Sequence, residues 1–82
     1  MQARVYVTLK RGVLDPQGKA VALSLSSMGF EEVEDVRLGK FIEVKLADGS
    51  SPEKAKERLT EMCQRLLANT VIEDYRIEIV GA

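Results

Sequence analysis

The stretch KRGVLDPQGKA, Lys10 to Ala20, is the part of the chain best furnished for chemistry. It has two glycines, a lysine directly after the second and a helix start inside it, which together suggest a phosphate-gripping loop. Such a loop sets four residues between the glycines, then Lys and Ser or Thr. Its backbone N–H groups ring the phosphates and its hydroxyl meets the magnesium ion. Here five residues, Val13 to Gln17, separate Gly12 from Gly18, and Ala20 stands in the hydroxyl's place. Pro16 removes an N–H donor, and Asp15 would put a negative charge beside the anion. The stretch reads instead as Asp15 and Pro16 starting a helix, with Gly12 turning the chain into it.

The other reactive groups lead to similar conclusions. The chain has no histidine, so the commonest general base and neutral metal ligand are missing. Cys63 lies in an apolar stripe without a histidine partner and reads as a buried structural thiol. The acids of EEVED, Glu31 to Asp35, alternate across an expected strand, so they cannot converge on one hard cation. Lys10 and Arg11 read as a surface pair. No catalytic residue, metal site or cofactor site is expected.

The elements that would position these residues follow from periodicity and caps. Val5, Val7 and Leu9 alternate with Arg4, Tyr6 and Thr8, as in a half-buried strand. Asp15 caps a helix that begins at Pro16 and runs to about Met28, where Gly29 stops it. FEEVEDVRLGKFIEVKLA reads as two strands joined at Gly39-Lys40, with Ile42, Val44 and Leu46 on one face. DGSS is a loop, and Ser51 with Pro52 and Glu53 opens a second helix. Its apolar stripe is Ala55, Leu59, Met62, Cys63, Leu66 and Leu67, and Asn69 ends it. VIEDYRIEIV closes the chain as a strand with Tyr75, Ile77 and Ile79 inward. VEDVR at Val33 is echoed by IEDYR at Ile72. The order βαββαβ, in two similar halves, predicts an α+β, two-layer ferredoxin-like domain with both helices on one face of an antiparallel sheet.

Bulk composition narrows the function. The chain has 82 residues, enough for one domain over 1–82 with a modest core. Twelve basic residues meet thirteen acidic ones, interspersed, which argues against a nucleic-acid or membrane surface. One cysteine excludes an internal disulfide and fits a cytoplasmic setting. No apolar run approaches the ~20 residues of a membrane span. An RNA-reading sheet would show an aromatic-rich strand, whereas only Tyr6 and Phe41 fall on the outer face.

Two features call for a partner. The second helix carries seven charged residues between Glu53 and Arg65; the first, Gln17 to Met28, carries only Lys19. If Val21, Leu25 and Met28 form its buried stripe, Leu23 remains on the opposite side. Tyr6 and Phe41 occupy an open sheet face. Tyr6, Leu23 and Phe41 are therefore expected at an interface between copies, in a dimer or tetramer. The topology alone also admits a small ligand-binding regulatory module.

The stretches without a catalytic reading are the recognisable ones. YVTLKRGVLDPQGKA (Tyr6–Ala20), VEDVRLGK (Val33–Lys40) and LLANTVIEDY (Leu66–Tyr75) resemble the PurS family, the small subunit of bacterial and archaeal phosphoribosylformylglycinamidine synthase. Thr70 departs from the resemblance, standing where a proline is expected. The resemblance implies a subunit without catalytic residues, in an enzyme that amidates formylglycinamide ribonucleotide with ATP and ammonia from glutamine. It implies two partners, a large synthetase subunit and a glutaminase subunit, which the small subunit holds together while supporting ammonia transfer. On that basis Gly12, Leu14, Asp15, Pro16, Gln17 and Gly18, next to Lys10, are expected to shape a docking loop. Arg37 and Lys40 are expected to add charged contacts, and substituting Asp15 with Gln17 to weaken assembly without disturbing the fold.

Overall fold

The computed structural model describes residues 1–47, 49 and 51–80. The expected DGSS loop falls partly outside them, at Asp48 and Ser50. The elements are β1 (Gln2–Leu9), α1 (Pro16–Ser27), β2 (Gly39–Lys45), α2 (Pro52–Met62) and β3 (Glu73–Val80), with a π-helical turn over Cys63–Leu67. The class is α+β: a three-stranded antiparallel sheet and two helices, the helices alternating with the strands along the chain. The sheet order is β2-β1-β3. In register, Val5 faces Ile42 on one side and Ile77 on the other.

Period-2 alternation builds the core from the middle strand. Ala3, Val5 and Val7 are buried on the inner face, where Leu59, Cys63 and Ala68 meet them. Ile42, Val44, Tyr75, Ile77 and Ile79 pack around this centre half-buried. Burial in this apolar setting raises the Cys63 thiol above its ordinary pKa.

Both helices begin as their caps dictate. The Asp15 carboxylate accepts from the Gly18 N–H at 2.9 Å, and the Ser51 hydroxyl from the Lys54 N–H at 3.2 Å. Gly29, at φ 101°, ends α1: its N–H reaches the Ser26 carbonyl and the Phe30 N–H the Leu25 carbonyl.

Three expectations change. Residues 31–38 form no strand, and Gly39 and Lys40 open β2 rather than turn a hairpin. The backbone donors of 31–38 go elsewhere: Val36 N–H to the Asp35 carboxylate and Leu38 N–H to that of Asp15, both at 2.9 Å. Leu66 leaves the buried stripe and is 83% exposed, because the π turn, closed by Ala68 N–H to the Cys63 carbonyl, shifts the helical face. Finally, α2 packs on β3, whereas α1 packs closely on neither the sheet nor α2. Gly18 is its only buried residue.

The molecule is accordingly drawn out to 51 × 27 × 14 Å. Its Cα radius of gyration is 16.1 Å, against about 12 Å for a compact chain of this length. All of the buried apolar core lies in the sheet, α2 and the turn after it. Leu59→Ala is therefore expected to cost about 2–5 kcal/mol in chemical denaturation, against less than ~0.5 kcal/mol for Lys56→Ala on the exposed side of α2.

Candidate functional site

β1, β2 and β3 meet the loop before α1 at one end of the sheet, and the singled-out residues gather there. Asp15 is the hub. One carboxylate oxygen caps α1 through Gly18 N–H; the other accepts the Leu38 N–H, which holds the chain returning to β2. Arg37 closes the clasp from the other side, its Nη2 donating to the Leu9 carbonyl and, at 2.9 Å, to that of Lys10. The Gly18 and Leu38 N–H bonds, with the Arg37 charge, hold the Asp15 carboxyl below the usual carboxylate range.

Glycine is required where these segments touch. A Cβ on Gly18 would run into the Val36 carbonyl oxygen and stand 2.6 Å from the Asp15 carboxylate. Gly12 takes φ 87°, turning the chain out of β1 towards the helix.

Lys10 contributes its backbone, donating to the Ile72 carbonyl at 2.8 Å and accepting from Val13 N–H at 3.1 Å. Lys40 pairs with Glu73 at 3.9 Å. Glu73, which sequence reasoning missed, and Asn69, expected only to end the second helix, knit the turn before β3. Asn69 N–H donates to the Glu73 carboxylate at 2.7 Å, the Asn69 side chain accepts from Val71 N–H, and its carbonyl accepts from Ile72 and Glu73. None of these bonds uses the Thr70 N–H, so this turn suits threonine as well as the expected proline. Asn and Asp are strong turn formers, and Asn69 four residues before Glu73 was the available signal.

The surface so built is shaped rather than reactive. A cleft of about 700 Å³ runs between α1 and the returning chain, lined by Leu14, Lys19, Leu23, Val33 and Val36 among others. A smaller one, about 190 Å³, brings Gln17 beside Lys40 and Glu73. Leu14 is 73% exposed, and Pro16 and Gln17 are also exposed. Among the described residues no cluster of three or more His, Cys, Asp or Glu side chains could hold a metal ion, and no helix is long and apolar enough to cross a membrane.

Tyr6 and Phe41 lie elsewhere, on the outer sheet face. They are register partners with rings 5.2 Å apart, and the Arg76 guanidinium sits 4.2 Å from the Tyr6 ring centre. Leu23 is apart from both, on α1 in the wall of the larger cleft.

This chain matches known proteins along almost its whole length. The family described as PurS: Phosphoribosylformylglycinamidine (FGAM) synthase matches residues 2–81. The chain belongs to the PurS family. Phosphoribosylformylglycinamidine synthase subunit PurS of Bacillus subtilis is 51% identical over 78 residues, 95% of this chain and 90% of that protein. The crystal structure of PurS from Methanocaldococcus jannaschii superposes with a TM-score of 0.83 at 42% identity, covering 94% of this chain and 92% of that one. A chain in the structure of PurLQS from Thermotoga maritima superposes at 0.85 with 30% identity, covering 94% and 93%.

In this PurS chain the Asp15 carboxylate is not a free surface charge. Both its oxygens serve the chain's own backbone, so replacing it alters the loop itself, contrary to the expectation of an undisturbed fold. The sign of its pH dependence follows. The unfolded carboxyl titrates near its ordinary 3.8 and the folded one lower, so its stabilisation is complete above 3.8 and lost as pH falls through the folded value. The melting temperature of Asp15→Asn is expected to lie below wild type at neutral pH, and the gap to close in acid. A gap that stays constant across that range would contradict the clasp. Gly18→Ala is expected to lose about 1 kcal/mol or more, because the backbone clash outweighs the gain in helix propensity.

Proposed function

We propose that this chain is the non-catalytic small subunit of phosphoribosylformylglycinamidine synthase. It bridges the large synthetase subunit and the glutaminase subunit and supports ammonia transfer between them. The observation that carries this reading is the near-complete likeness to PurS proteins, including a chain of the Thermotoga maritima PurLQS structure. The geometry supports it. The strongest charges of the loop, Asp15 and Arg37, are engaged in holding its shape. A loop held this way serves recognition by form.

The docking surface in this reading is the end of the sheet. Leu14, Pro16 and Gln17 present contacts, Lys40 adds charge beside Glu73, and Gly12, Asp15, Gly18, Arg37 and the Lys10 backbone set the shape. The chain works in the cytoplasm as a homo-oligomer, with Tyr6, Leu23 and Phe41 at contacts between copies.

The decisive measurement is product formation by the large and glutaminase subunits, with and without this chain, fed by glutamine or by free ammonia. Glutamine-dependent turnover is expected only when the chain is present, and ammonia-dependent turnover in either case. If neither rate changes and the three do not co-elute, the subunit role fails and a ligand-binding module becomes the reading to test by thermal melts. Leu14→Asp with Gln17→Ala is expected to weaken complex formation about tenfold or more while leaving the melting temperature within a few degrees, since both side chains are exposed.

A further inference from the structure

The ties at the loop end of the sheet fall on two hinges. Residues 10–15 lead from β1 into α1, and residues 37–39 lead from the returning chain into β2. The Asp15 carboxylate bridges the two by accepting the Leu38 N–H at 2.9 Å. The Arg37 side chain bridges them again by donating to the Leu9 and Lys10 carbonyls. Between the hinges, α1 and residues 30–36 form an arm that bonds to itself. Gly18 is seated against Val36, the Phe30 N–H reaches the Leu25 carbonyl and the Val33 N–H the Phe30 carbonyl.

The arm and the body leave matching surfaces open. Val21, Leu25 and Met28 lie at i, i+4 and i+7 on one face of α1, and Met28 is 71% exposed. On the body, Val44, Met62, Leu66 and Leu67 line a groove of about 380 Å³ between β2 and α2. β2 is an edge strand, paired with β1 alone among the described residues. VEDVR, Val33 to Arg37, repeats the IEDYR of Ile72 to Arg76, whose last four residues open β3. The arm therefore carries a strand-like segment and the sheet has a free edge.

We propose that the Asp15 and Arg37 clasp is a lock that holds this arm open, and that releasing it lets α1 and residues 33–37 close over the chain's own sheet. In the closed form the α1 stripe lies along the β2–α2 groove of the same chain. Residues 33–37 pair with the free edge of β2 through a hairpin at Gly39-Lys40. β1 ends and β2 begins at the same end of the sheet, with Thr8 opposite Gly39. A helix running back over the strands therefore returns the chain antiparallel to β2.

Area favours closure and the clasp opposes it. The accessible surface is 6269 Å², while a folded monomer of 9.1 kDa has about 4,900 Å². The excess, on the order of 1,400 Å², is surface that a closed arm removes from water. The charge-assisted bonds of Asp15 and Arg37 stand at both hinges, so neither turns while they hold. The lock decides whether the apolar stripe is turned outward or spent within the chain.

The test opens the clasp and keeps the helix cap. Asp15→Ser retains one oxygen for the Gly18 N–H and leaves none for Leu38. Arg37→Gln withdraws the tie to Leu9 and Lys10. The full-length double variant is compared with wild type by light scattering, small-angle X-ray scattering and far-UV circular dichroism. A single chain of 9.1 kDa is expected, with a radius of gyration of about 12 Å and the helical signal of wild type. With Val21→Cys and Leu66→Cys added to the double variant, a short bismaleimide is expected to join the two cysteines within one chain, with Cys63 alone as the control. A variant that keeps the mass and scattering of wild type overturns the lock. So does a single chain as extended as 16.1 Å, or one that loses its helical signal, because in neither does release lead to a closed form. A cross-link that joins only separate chains overturns it as well.

Discussion

One carboxylate decides where residues 10–38 go. Asp15 could have capped α1 and left its second oxygen to water, as many helix caps do. Instead that oxygen takes the Leu38 N–H, and the chain leaving β1 is tied to the chain entering β2. Arg37 repeats the tie through the Leu9 and Lys10 carbonyls. Gly18 permits the approach, since any side chain there would collide with Val36. With both ends fixed at the edge of the sheet, α1 stands away from the strands rather than packing over them. A structure 51 Å long and 14 Å thick is the direct result.

That arrangement has an energetic consequence. The helix that would have thickened the core stands outside it, and the buried set shrinks to small side chains around Val5, Val7 and Leu59. Hydrophobic stabilisation scales with the apolar area removed from water. A chain that leaves this much apolar surface uncovered is held short of the stability its composition allows. The distribution of charge agrees. α2 carries the ion pairs of a surface in water, Glu61 with Arg58 and Arg65, while α1 carries a single lysine. The two helices differ in kind: α2 has the charged face of a helix in water, and α1 lacks one.

How much of this the residues declared depends on whether the cause was local. Alternation in β1 and β3 named their inward faces correctly, because a strand's side chains divide by parity wherever it sits. Asp15-Pro16 and Ser51-Pro52 marked both helix starts, because a cap acts within three residues. Tyr6 opposite Phe41 followed from the register. The failures have distant or subtle causes. Val33 to Arg37 echoes Ile72 to Arg76 at the start of β3, but the Val36 N–H goes to the Asp35 carboxylate and the neighbouring Leu38 N–H to Asp15, twenty-three residues away in sequence. Leu66 obeys helical spacing until one extra residue in the turn moves it out of the stripe. Asp15 was legible as the cap of α1, but the bond of its second oxygen to the Leu38 N–H has no local signal.

The same loop shows why a phosphate-like pattern can belong to a scaffold. A phosphate loop and this one share glycines and a helix start, because both must turn a strand sharply into a helix. They differ in what the freed N–H groups meet. In a phosphate loop they point at the ligand. Here the Gly18 N–H meets Asp15, an anion supplied by the chain itself, and the same carboxylate draws in a second segment. The chain occupies its own anion site. What the loop shows to solvent is its outline, with Leu14 and Gln17 outward, and charge-assisted hydrogen bonds hold that outline in one shape.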